Sequence, residues 1–508
     1  MSKQLDILFV HPANNRINYQ ELSGELAAVE TPIWAGLIAS FARQKGYSID
    51  LIDAEAMELT PVQVADRVQK ENPVLTAIIV YGHNPSASTQ NMPGARVICN
   101  EIKNRNPNFK TIFVGGHVAA LPELTLKEES CDFVAKGEGP YTIIDLVELL
   151  KSSQPDQFEK VRGLYYRKDG QVCSTPAPAI VQNLDVEMPG VAWDLLPMEK
   201  YRAHNWHAFD TMKRQPYASI YTTLGCPFHC SFCCIQAPFK DGEQAIGYKA
   251  ATNSYRFWSV EKTADQLQML VEKHGVRNLK IADEMFVLNS KYISNFCDAI
   301  ISRGLDLNIW CYARVDTIKD GMLEKLKKAG VQWLALGIES GSDRVRNEVS
   351  KSLSQDAIRK VVKEIQDMGM YVIGNYIFGL PEDDRQSMQE TLDLALELNC
   401  EFANIYSAMA YPGSQLYTQA VTNNWKLPET WSGYAQLAYD SFPLPTKYLS
   451  SEEVLAFRDE AFYKYFNNPK YLSMIRQKFG ADTESHIKEM AQKRIKRKFV
   501  TDSAVSTR

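Results

Sequence analysis

Three cysteines lie within one stretch of eight residues, Cys226, Cys230 and Cys233 in the run CPFHCSFC. Thiolates spaced this closely can each bind one iron of a 4Fe–4S cubane, which leaves the fourth iron without a protein ligand. The chain has 10 cysteines, and the others are scattered rather than arranged as a disulfide framework. This usage predicts a metal site in a reducing, cytoplasmic compartment.

A zinc site is the alternative for the same motif, with His229 or Cys234 as the fourth ligand. Structural zinc sites usually pair two ligand couples across a longer loop. No second couple follows this one in the sequence. The spacing therefore favours an iron–sulfur cluster over zinc.

The strand and helix pattern of the first 150 residues predicts a domain that helps to position such a site. Short apolar runs, which we take as strands, alternate with amphipathic segments, and they cover 7–10, 49–53, 77–81, 111–115 and 133–136. Buried strands separated by helical crossovers form a mostly parallel, doubly wound α/β sheet, and its ligands bind beyond the carboxyl ends of the strands. The loops predicted at those ends, 11–14, 81–89, 115–117 and 136–139, are polar and rich in glycine.

The remainder of the chain divides into three predicted parts. Residues 151–205 read as a proline-containing connector with one hairpin around Asp169-Gly170. Residues 206–425 resume the alternation with a longer period, which predicts a partial (β/α)6, TIM-like barrel with its site at the carboxyl ends of the strands. The predicted barrel strands are 219–223, 279–282, 308–313, 333–338, 371–378 and 403–408. Residues 426–508 are predicted to be mostly helical, and the basic run 493–498 to be a solvated helix end or tail, with contact to an anionic surface as the alternative.

The cysteine motif at the end of a first barrel strand, with the aromatic Phe232 before its third cysteine, resembles the radical S-adenosylmethionine (SAM) superfamily. The resemblance covers about residues 205–425. It implies that the open iron chelates the amino and carboxylate groups of SAM. It further implies that the reduced cluster cleaves SAM into methionine and a 5′-deoxyadenosyl radical, which abstracts hydrogen from a substrate.

The resemblance also implies roles for polar residues at the ends of later strands. Asp283 and Glu284 would face the methionine ammonium, or else cap the start of a helix. Arg314 would pair with the methionine carboxylate, or else form a structural salt bridge. Glu339 and Ser340 lie in a segment that resembles the ribose-binding segment of the family.

A doubly wound domain ahead of such a barrel is similar to the cobalamin-binding domain of the cobalamin-dependent radical SAM group. Glycines let the backbone approach a bulky corrin, and hydroxyl and amide groups can bind its side chains. The residues that the resemblance assigns to cobalamin are Thr31, Ser86, Ser88, Thr89, Gly115, Gly116, His117, Glu138 and Gly139.

One departure from many cobalamin proteins concerns the cobalt ligand. The DxHxxG motif is absent, and His11, His83 and His117 stand in loops without its spacing. Either cobalt lacks an axial histidine, or the domain binds something else. The first strand is not followed by GxGxxG, which disfavours a dinucleotide site.

Together these features predict a cobalamin-dependent radical SAM methyltransferase that acts on an unactivated carbon of a small metabolite. The alternatives are a radical cyclase or rearrangement enzyme, similar to the anaerobic porphyrin cyclases, and a cobalamin-dependent sensor. A methylthiotransferase is disfavoured because Cys99, Cys131 and Cys173 do not suit a second cluster.

The bulk properties limit the partners. A net charge of −5 gives no reason to expect nucleic acid, and no apolar run approaches the length of a membrane span. The implied chemistry needs an external electron donor, such as flavodoxin or ferredoxin.

Overall fold

The amino-terminal part is built on one seven-stranded sheet in the computed structural model, which describes residues 4–24, 26–319, 321–351 and 353–500. Its strands are β1 (Ile7–His11), β2 (Ile49–Asp53), β3 (Leu75–Ile79), β4 (Thr111–Val114), β5 (Phe133–Ala135), β6 (Leu164–Lys168) and β7 (Gln171–Ser174). The order is β2-β1-β3-β4-β5-β6-β7. Strands β1 to β5 are parallel to one another. Strand β6 pairs antiparallel with β5, and β7 pairs antiparallel with β6.

This sheet confirms the doubly wound α/β prediction and the hairpin around Asp169-Gly170. The hairpin extends the first sheet, so part of the predicted connector belongs to that sheet. Helices cover both faces: α1 (Asn15–Tyr19), α2 (Ile33–Gln44), α3 (Pro61–Glu71), α4 (Ala87–Gln90), α5 (Met92–Arg105), α6 (Gly116–Ala120), α7 (Pro122–Glu128), α8 (Pro140–Lys151) and α9 (Leu184–Glu187).

Burial on both faces explains why β1 is a continuous apolar run. Ile7 and Phe9 point into one hydrophobic cluster, and Leu8 and Val10 point into another. Successive side chains of a strand face opposite sides, so a sheet covered on both sides needs apolar residues at every position.

The second part contains a six-stranded parallel sheet and a separate two-stranded sheet. Its elements include the strands β8 (Tyr217–Ile220), β9 (Thr223–Gly225), β10 (Tyr255–Phe257), β11 (Asn278–Ile281), β12 (Asn308–Ala313), β13 (Val331–Glu339), β14 (Tyr371–Phe378) and β15 (Phe402–Ser407). The order is β15-β14-β13-β12-β11-β8, which is the predicted partial barrel. The outer helices are α10 (Lys240–Ala245), α11 (Val260–His274), α12 (Ser290–Ser302), α13 (Met322–Lys328), α14 (Asp343–Glu348), α15 (Gln355–Asp367), α16 (Arg385–Leu398) and α17 (Gln415–Thr422).

The predicted first barrel strand, 219–223, is divided into β8 and β9. The division falls at Thr222, whose backbone N–H donates to Asp283 at 2.6 Å. Beyond it β9 leaves the barrel and pairs antiparallel with β10. Gly225 ends β9 with φ +92°, and a β-carbon there would overlap the carbonyl oxygen of Ser254. Glycine thus lets the chain turn into the cysteine loop.

The carboxy-terminal region contains α18 (Ser451–Phe466), α19 (Pro469–Phe479) and α20 (Ala481–Gln492). The basic run is a tail rather than a helix end. The segment 493–500, here called the strap, lies beyond α20 without helical structure, and Arg494, Lys496 and Lys498 in it are exposed as predicted. The Arg497 side chain, by contrast, is only 3% exposed, because the half-buried partner Asp459 holds it against the fold. Within the described residues, every helix is too short or too polar to cross a bilayer.

Candidate functional site

A cavity of about 520 Å³ lies where the amino-terminal part, the barrel and the carboxy-terminal region meet. Cys226, Cys230 and Cys233 all line it. So do residues of the loop that follows β3 and residues at the ends of the barrel strands. Both sheets therefore present their carboxyl ends to one space, as expected for parallel α/β folds.

The cysteine loop is held by backbone contacts. The N–H of Cys233 donates to the carbonyl of Cys230 at 3.0 Å, and the Gln236 side chain donates to the carbonyl of Cys226 at 2.8 Å. Burial raises the pKa of Cys226 to about 11 and also raises the pKa values of Cys230 and Cys233. The thiols hold their protons at neutral pH, so iron binding must displace those protons.

The two residues considered as a fourth zinc ligand lie in different surroundings. His229 is exposed, and its Nδ1 lies 3.3 Å from the Asn253 amide nitrogen. Cys234 is buried and lines the cavity. Among the described residues no three His, Cys, Asp or Glu side chains converge on a point that would hold a single metal ion. In a cubane, by contrast, each thiolate binds a different iron.

Asp283 and Glu284 are adjacent but have different partners. Asp283 accepts hydrogen bonds from the Thr222 N–H and from the hydroxyls of Thr222 and Thr223, and it does not line the cavity. Glu284 does line the cavity, and its buried Oε1 has no hydrogen-bond partner among the described residues. Burial raises the pKa of Glu284 to about 8, against the opposing effect of Lys280. Of these two acids, Glu284 is the one with an oxygen left for a ligand ammonium.

Arg314 lies beside the cysteine loop. Its Nε and Nη2 are each 2.9 Å from Asp316, and its Nη1 is 3.9 Å from the sulfur of Cys230. The guanidinium also stacks over Phe228, 4.0 Å from the ring centre. The structural salt bridge considered from the sequence is therefore present, and one edge of the guanidinium still faces the cluster cysteines. Phe232 packs half-buried between two small hydrophobic clusters and lines the cavity.

Glu339 and Ser340 also separate into two roles. Glu339 lines the cavity, has φ +65°, and forms a buried ion pair with Lys351. A β-carbon on Gly337 would overlap the charged ends of both side chains, so a larger residue there would displace the pair. Ser340 instead contacts the Thr391 hydroxyl at 3.1 Å and lies outside the cavity lining. Lys351 could not be predicted from the sequence, because it lies twelve residues after Glu339 with no motif around it.

Of the residues assigned to cobalamin from the sequence, Ser86 lines the cavity, together with His83, Asn84 and Gln90. Burial lowers the pKa of His83 to about 3, so its imidazole is neutral. Amide and hydroxyl groups from this loop are donors and acceptors suited to the amide side chains of a corrin.

Three other assigned residues bind one another. The His117 N–H donates to Ser88 at 2.9 Å, and its ring nitrogen lies 3.0 Å from the Thr89 hydroxyl. The ring also meets Trp431 edge-on, with centroids 4.4 Å apart. These side chains connect two loops of the first sheet and do not line the cavity.

Thr31 and Glu138 bind protein groups across the junction of the two sheets. The Thr31 hydroxyl accepts from the Ser219 N–H at 3.3 Å. Glu138 binds Arg256 at 2.7 Å and the Val181 N–H at 2.6 Å.

The assigned glycines allow close packing. A β-carbon on Gly115 would lie 2.6 Å from Val80, and one on Gly139 would overlap Val114. At Gly116 the nearest side chain, Ser88, would be 3.7 Å away, so this position is less crowded.

A second buried ion pair at the cavity was not predicted from the sequence. Lys280 on β11 lies 3.2 Å from Glu30, which also accepts from the hydroxyls of Tyr217 and Ser219 at 2.6 and 2.7 Å. His204 lies 3.4 Å from the same carboxylate. Glu30 precedes α2, whereas its partners belong to the barrel and the segment before it, so no local pattern connects them.

Two family models match this chain, the Radical SAM superfamily over residues 220–395 and the B12 binding domain over residues 22–147. An uncharacterized methyltransferase of Pyrococcus horikoshii is 29% identical over 87% of this chain and 89% of its own length. An anaerobic magnesium-protoporphyrin IX monomethyl ester cyclase of Rubrivivax gelatinosus is 26% identical over 81% of this chain and 69% of its own length.

Solved structures share the fold over nearly the whole chain. The radical S-adenosylmethionine methyltransferase TsrM of Kitasatospora setae superposes with a TM-score of 0.68 at 12% identity, covering 97% of this chain and all of TsrM. The cobalamin-dependent S-adenosylmethionine radical enzyme OxsB superposes with a TM-score of 0.66 at 16% identity, covering 96% of this chain and 72% of OxsB. The chain therefore combines a region that matches the Radical SAM superfamily, residues 220–395, with a B12 binding domain ahead of it, residues 22–147.

Proposed function

We propose that this protein is a cobalamin-dependent radical SAM methyltransferase that methylates an unactivated carbon of a small metabolite. The observation that carries the proposal is the shared cavity. One space is lined by the three motif cysteines, by Glu284 with its unpaired carboxyl oxygen, and by the loop that follows β3 in the B12 binding domain. Two reagents on separate domains can act on one substrate only if both face the same space.

Each cofactor has a set of residues that would hold it. Cys226, Cys230 and Cys233 supply three thiolates for a 4Fe–4S cluster, and Glu284 supplies an acceptor for the ammonium of SAM. The loop residues Asn84, Ser86 and Gln90 would bind the amides of cobalamin. When bound, these groups supply hydrogen-atom abstraction and methyl transfer.

The protein contributes positioning and shielding. Arg314 and the Lys351–Glu339 pair place fixed charges around the space beside Cys230. The cavity walls further along β12 and β15 are apolar and include Trp310 and Phe402. Such walls exclude water from a reactive centre and protect it from side reactions.

The relatives favour methyl transfer and also indicate the alternative. The Pyrococcus relative is named a methyltransferase, and so is TsrM, whereas the Rubrivivax relative is named a cyclase. Both activities would use the same cavity, and their products separate them. We further propose a cytoplasmic location and a flavodoxin or ferredoxin as electron donor.

The test measures two products of SAM in anaerobically purified protein reconstituted with iron, sulfide and cobalamin. After addition of SAM and dithionite, we expect both 5′-deoxyadenosine and S-adenosylhomocysteine, since methyl transfer consumes one SAM for each. Deoxyadenosine without S-adenosylhomocysteine, in the presence of a substrate that is turned over, would favour the cyclase. Cys230→Ala should lose deoxyadenosine formation, whereas Cys297→Ala on α12 should retain it, since Cys297 is buried away from the cavity lining.

A further inference from the structure

A buried arginine lines the cavity on a wall formed by the carboxy-terminal region. Arg458 of α18 is 6% exposed. Its Nε donates to the carbonyl of Ile405 at 2.7 Å, and its Nη1 donates to Asp459 at 2.8 Å. Its Nη2 makes no hydrogen bond within the parts of the chain that the structure describes. The guanidinium therefore has one nitrogen, Nη2, whose N–H groups are not used by the described residues.

The neighbouring aspartate does not neutralise this arginine by itself. Arg497 of the strap donates to Asp459 through both Nε and Nη2, each at 2.9 Å. Two guanidinium groups thus share one carboxylate, and Arg458, Asp459 and Arg497 together carry a net charge of +1. Burial lowers the pKa of Arg458, and although burial alone would raise the pKa of Asp459, the two arginines lower it.

A buried cation without a full counterion is costly unless a ligand supplies the missing charge. Among the described residues that line the cavity, Asp459 is the one acidic side chain that contacts Arg458. The lining near Arg458 is aromatic: the Phe462 ring lies 5.7 Å from the guanidinium, and Tyr406 and Tyr463 are close by. A guanidinium nitrogen with free N–H groups among aromatic rings is suited to a carboxylate on a largely apolar molecule, because an ionised acceptor strengthens the hydrogen bond.

Arg458 and the residues near the cysteine motif lie beside different strands of the six-stranded sheet. Arg458 is anchored on β15, the last strand of the six-stranded sheet. Glu284, Arg314 and Glu339 follow or end the central strands β11, β12 and β13. The cofactor residues and Arg458 therefore bound different sides of one space, and a substrate has room between them.

We infer that the substrate is a small molecule with an apolar, ring-containing body and a carboxylate that binds Arg458. This inference rests on the proposed function and adds the class of substrate. The net charge of +1 matches a monoanion better than a phosphate dianion. Arg458 acts by binding the substrate, and Arg497 acts as a positioning residue that holds Asp459.

The test uses equilibrium dialysis of the full-length, cluster-reconstituted protein with three probes of one shape: 2-naphthoate, neutral 2-naphthalenemethanol and 2-naphthyl phosphate. We expect 2-naphthoate to bind at least about tenfold more tightly than the alcohol, the usual size of a charge-assisted hydrogen bond. Arg458→Met should remove that difference by weakening naphthoate alone, and Arg458→Lys should keep part of it. Arg277→Met, a matched loss of charge at an exposed residue outside the cavity lining, should change neither.

Equal binding of acid and alcohol by the unmodified protein would overturn the inference. So would an equal loss of both in Arg458→Met, which would indicate a structural role, or tighter binding of the phosphate, which would indicate a dianion. Weaker hydroxocobalamin binding in Arg458→Met with unchanged naphthoate binding would assign the arginine to the cofactor and overturn it as well. Deoxyadenosine is measured in parallel: naphthoate binding without deoxyadenosine would contradict the proposed function and leave this inference standing.

Discussion

At the scale of residues, two neighbouring acidic side chains have different roles because they have different hydrogen-bond partners. Asp283 and Glu284 are adjacent acids that follow β11, the first buried and the second half-buried. Three donors from Thr222 and Thr223 occupy Asp283, so it fixes the start of the cysteine loop. Glu284 lines the cavity and keeps a buried oxygen without a hydrogen-bond partner among the described residues, so it is the acid available to a ligand.

Glu284→Gln tests that assignment through pH. Because burial raises the pKa of Glu284 to about 8, its carboxyl is mostly protonated below that pH and must lose the proton to bind an ammonium. We expect the affinity for SAM to rise by less than about tenfold per pH unit between pH 6.5 and about 8, and to level off above that pH. The variant should bind about tenfold more weakly at pH 8 and show no such rise. Equilibrium dialysis measures both, with exposed Glu199→Gln as the control; an unchanged pH profile in Glu284→Gln would contradict the assignment.

Asp283→Asn should instead affect stability. An amide in place of the carboxylate sets an NH₂ group against hydrogen-bond donors, and we expect unfolding to become easier by about 2 kcal/mol. Urea unfolding followed by circular dichroism measures this loss. The Glu284→Gln variant serves as the matched comparison, since it should lose much less; equal losses in the two variants would show that the acids do not differ in this way.

At the scale of elements, the strap closes one side of the cavity. The N–H of Lys496 donates to Gln20 at 3.3 Å, the Gln20 amide donates back to the Lys496 carbonyl at 3.1 Å, and Arg497 binds Asp459. Lys493 and Ile495 line the cavity. A short segment without its own hydrogen-bonded helix thus joins the amino-terminal part to α18 across the site.

Truncation after Gln492 should open this side. We expect naphthoate binding to weaken by about tenfold, because Asp459 would lose Arg497 and could neutralise Arg458 alone. Acrylamide should also quench tryptophan fluorescence more strongly, since Trp206 and Trp310 line the cavity. Truncation after Val500 is the control and keeps the strap; similar binding by both truncated chains would show that the strap does not close the site.

At the scale of the whole molecule, the two sheets form one packed unit. A single hydrophobic cluster includes residues of the first sheet, such as Phe9, and of the barrel, such as Trp333. The ion pair between Glu30 and Lys280 joins the two parts at the cavity, and Lys280 is only 1% exposed. This packing fixes the distance across which the two halves of the site act.

The Glu30–Lys280 pair gives a test of that junction. Lys280→Met leaves Glu30 buried without its main counterion, so we expect a loss of about 3 kcal/mol in the free energy of unfolding. Adding Glu30→Gln should recover part of the loss, because the unpaired charge is then removed. Arg43→Met breaks the exposed pair between Arg43 and Asp194 and should cost under about 1 kcal/mol. Urea unfolding of the unmodified protein, the two single variants and the double variant measures these free energies. Equal losses of unfolding free energy in Lys280→Met and Arg43→Met would contradict a special role for the buried pair.

The sequence by itself determined the features that depend on local pattern. The spacing of the three cysteines indicated the cluster, because a loop of eight residues keeps its thiols close in any fold. Strand and helix periodicity indicated both sheets and the partial barrel, because burial on two faces requires apolar runs such as 7–10. A run of basic residues normally stays in water, as Arg494, Lys496 and Lys498 do, but the burial of the Arg497 side chain could not be predicted because only the distant Asp459 makes it favourable.

Only the tertiary structure decided which polar residues face the cavity. Side chains at one strand end have the same local signal whether they bind a protein donor, as Asp283 does, or remain open, as Glu284 does. The partners that settle the matter are distant in sequence: Glu30 meets Lys280 across 250 residues. Such pairs arise from packing two domains against each other, and composition or periodicity within a segment carries no record of them.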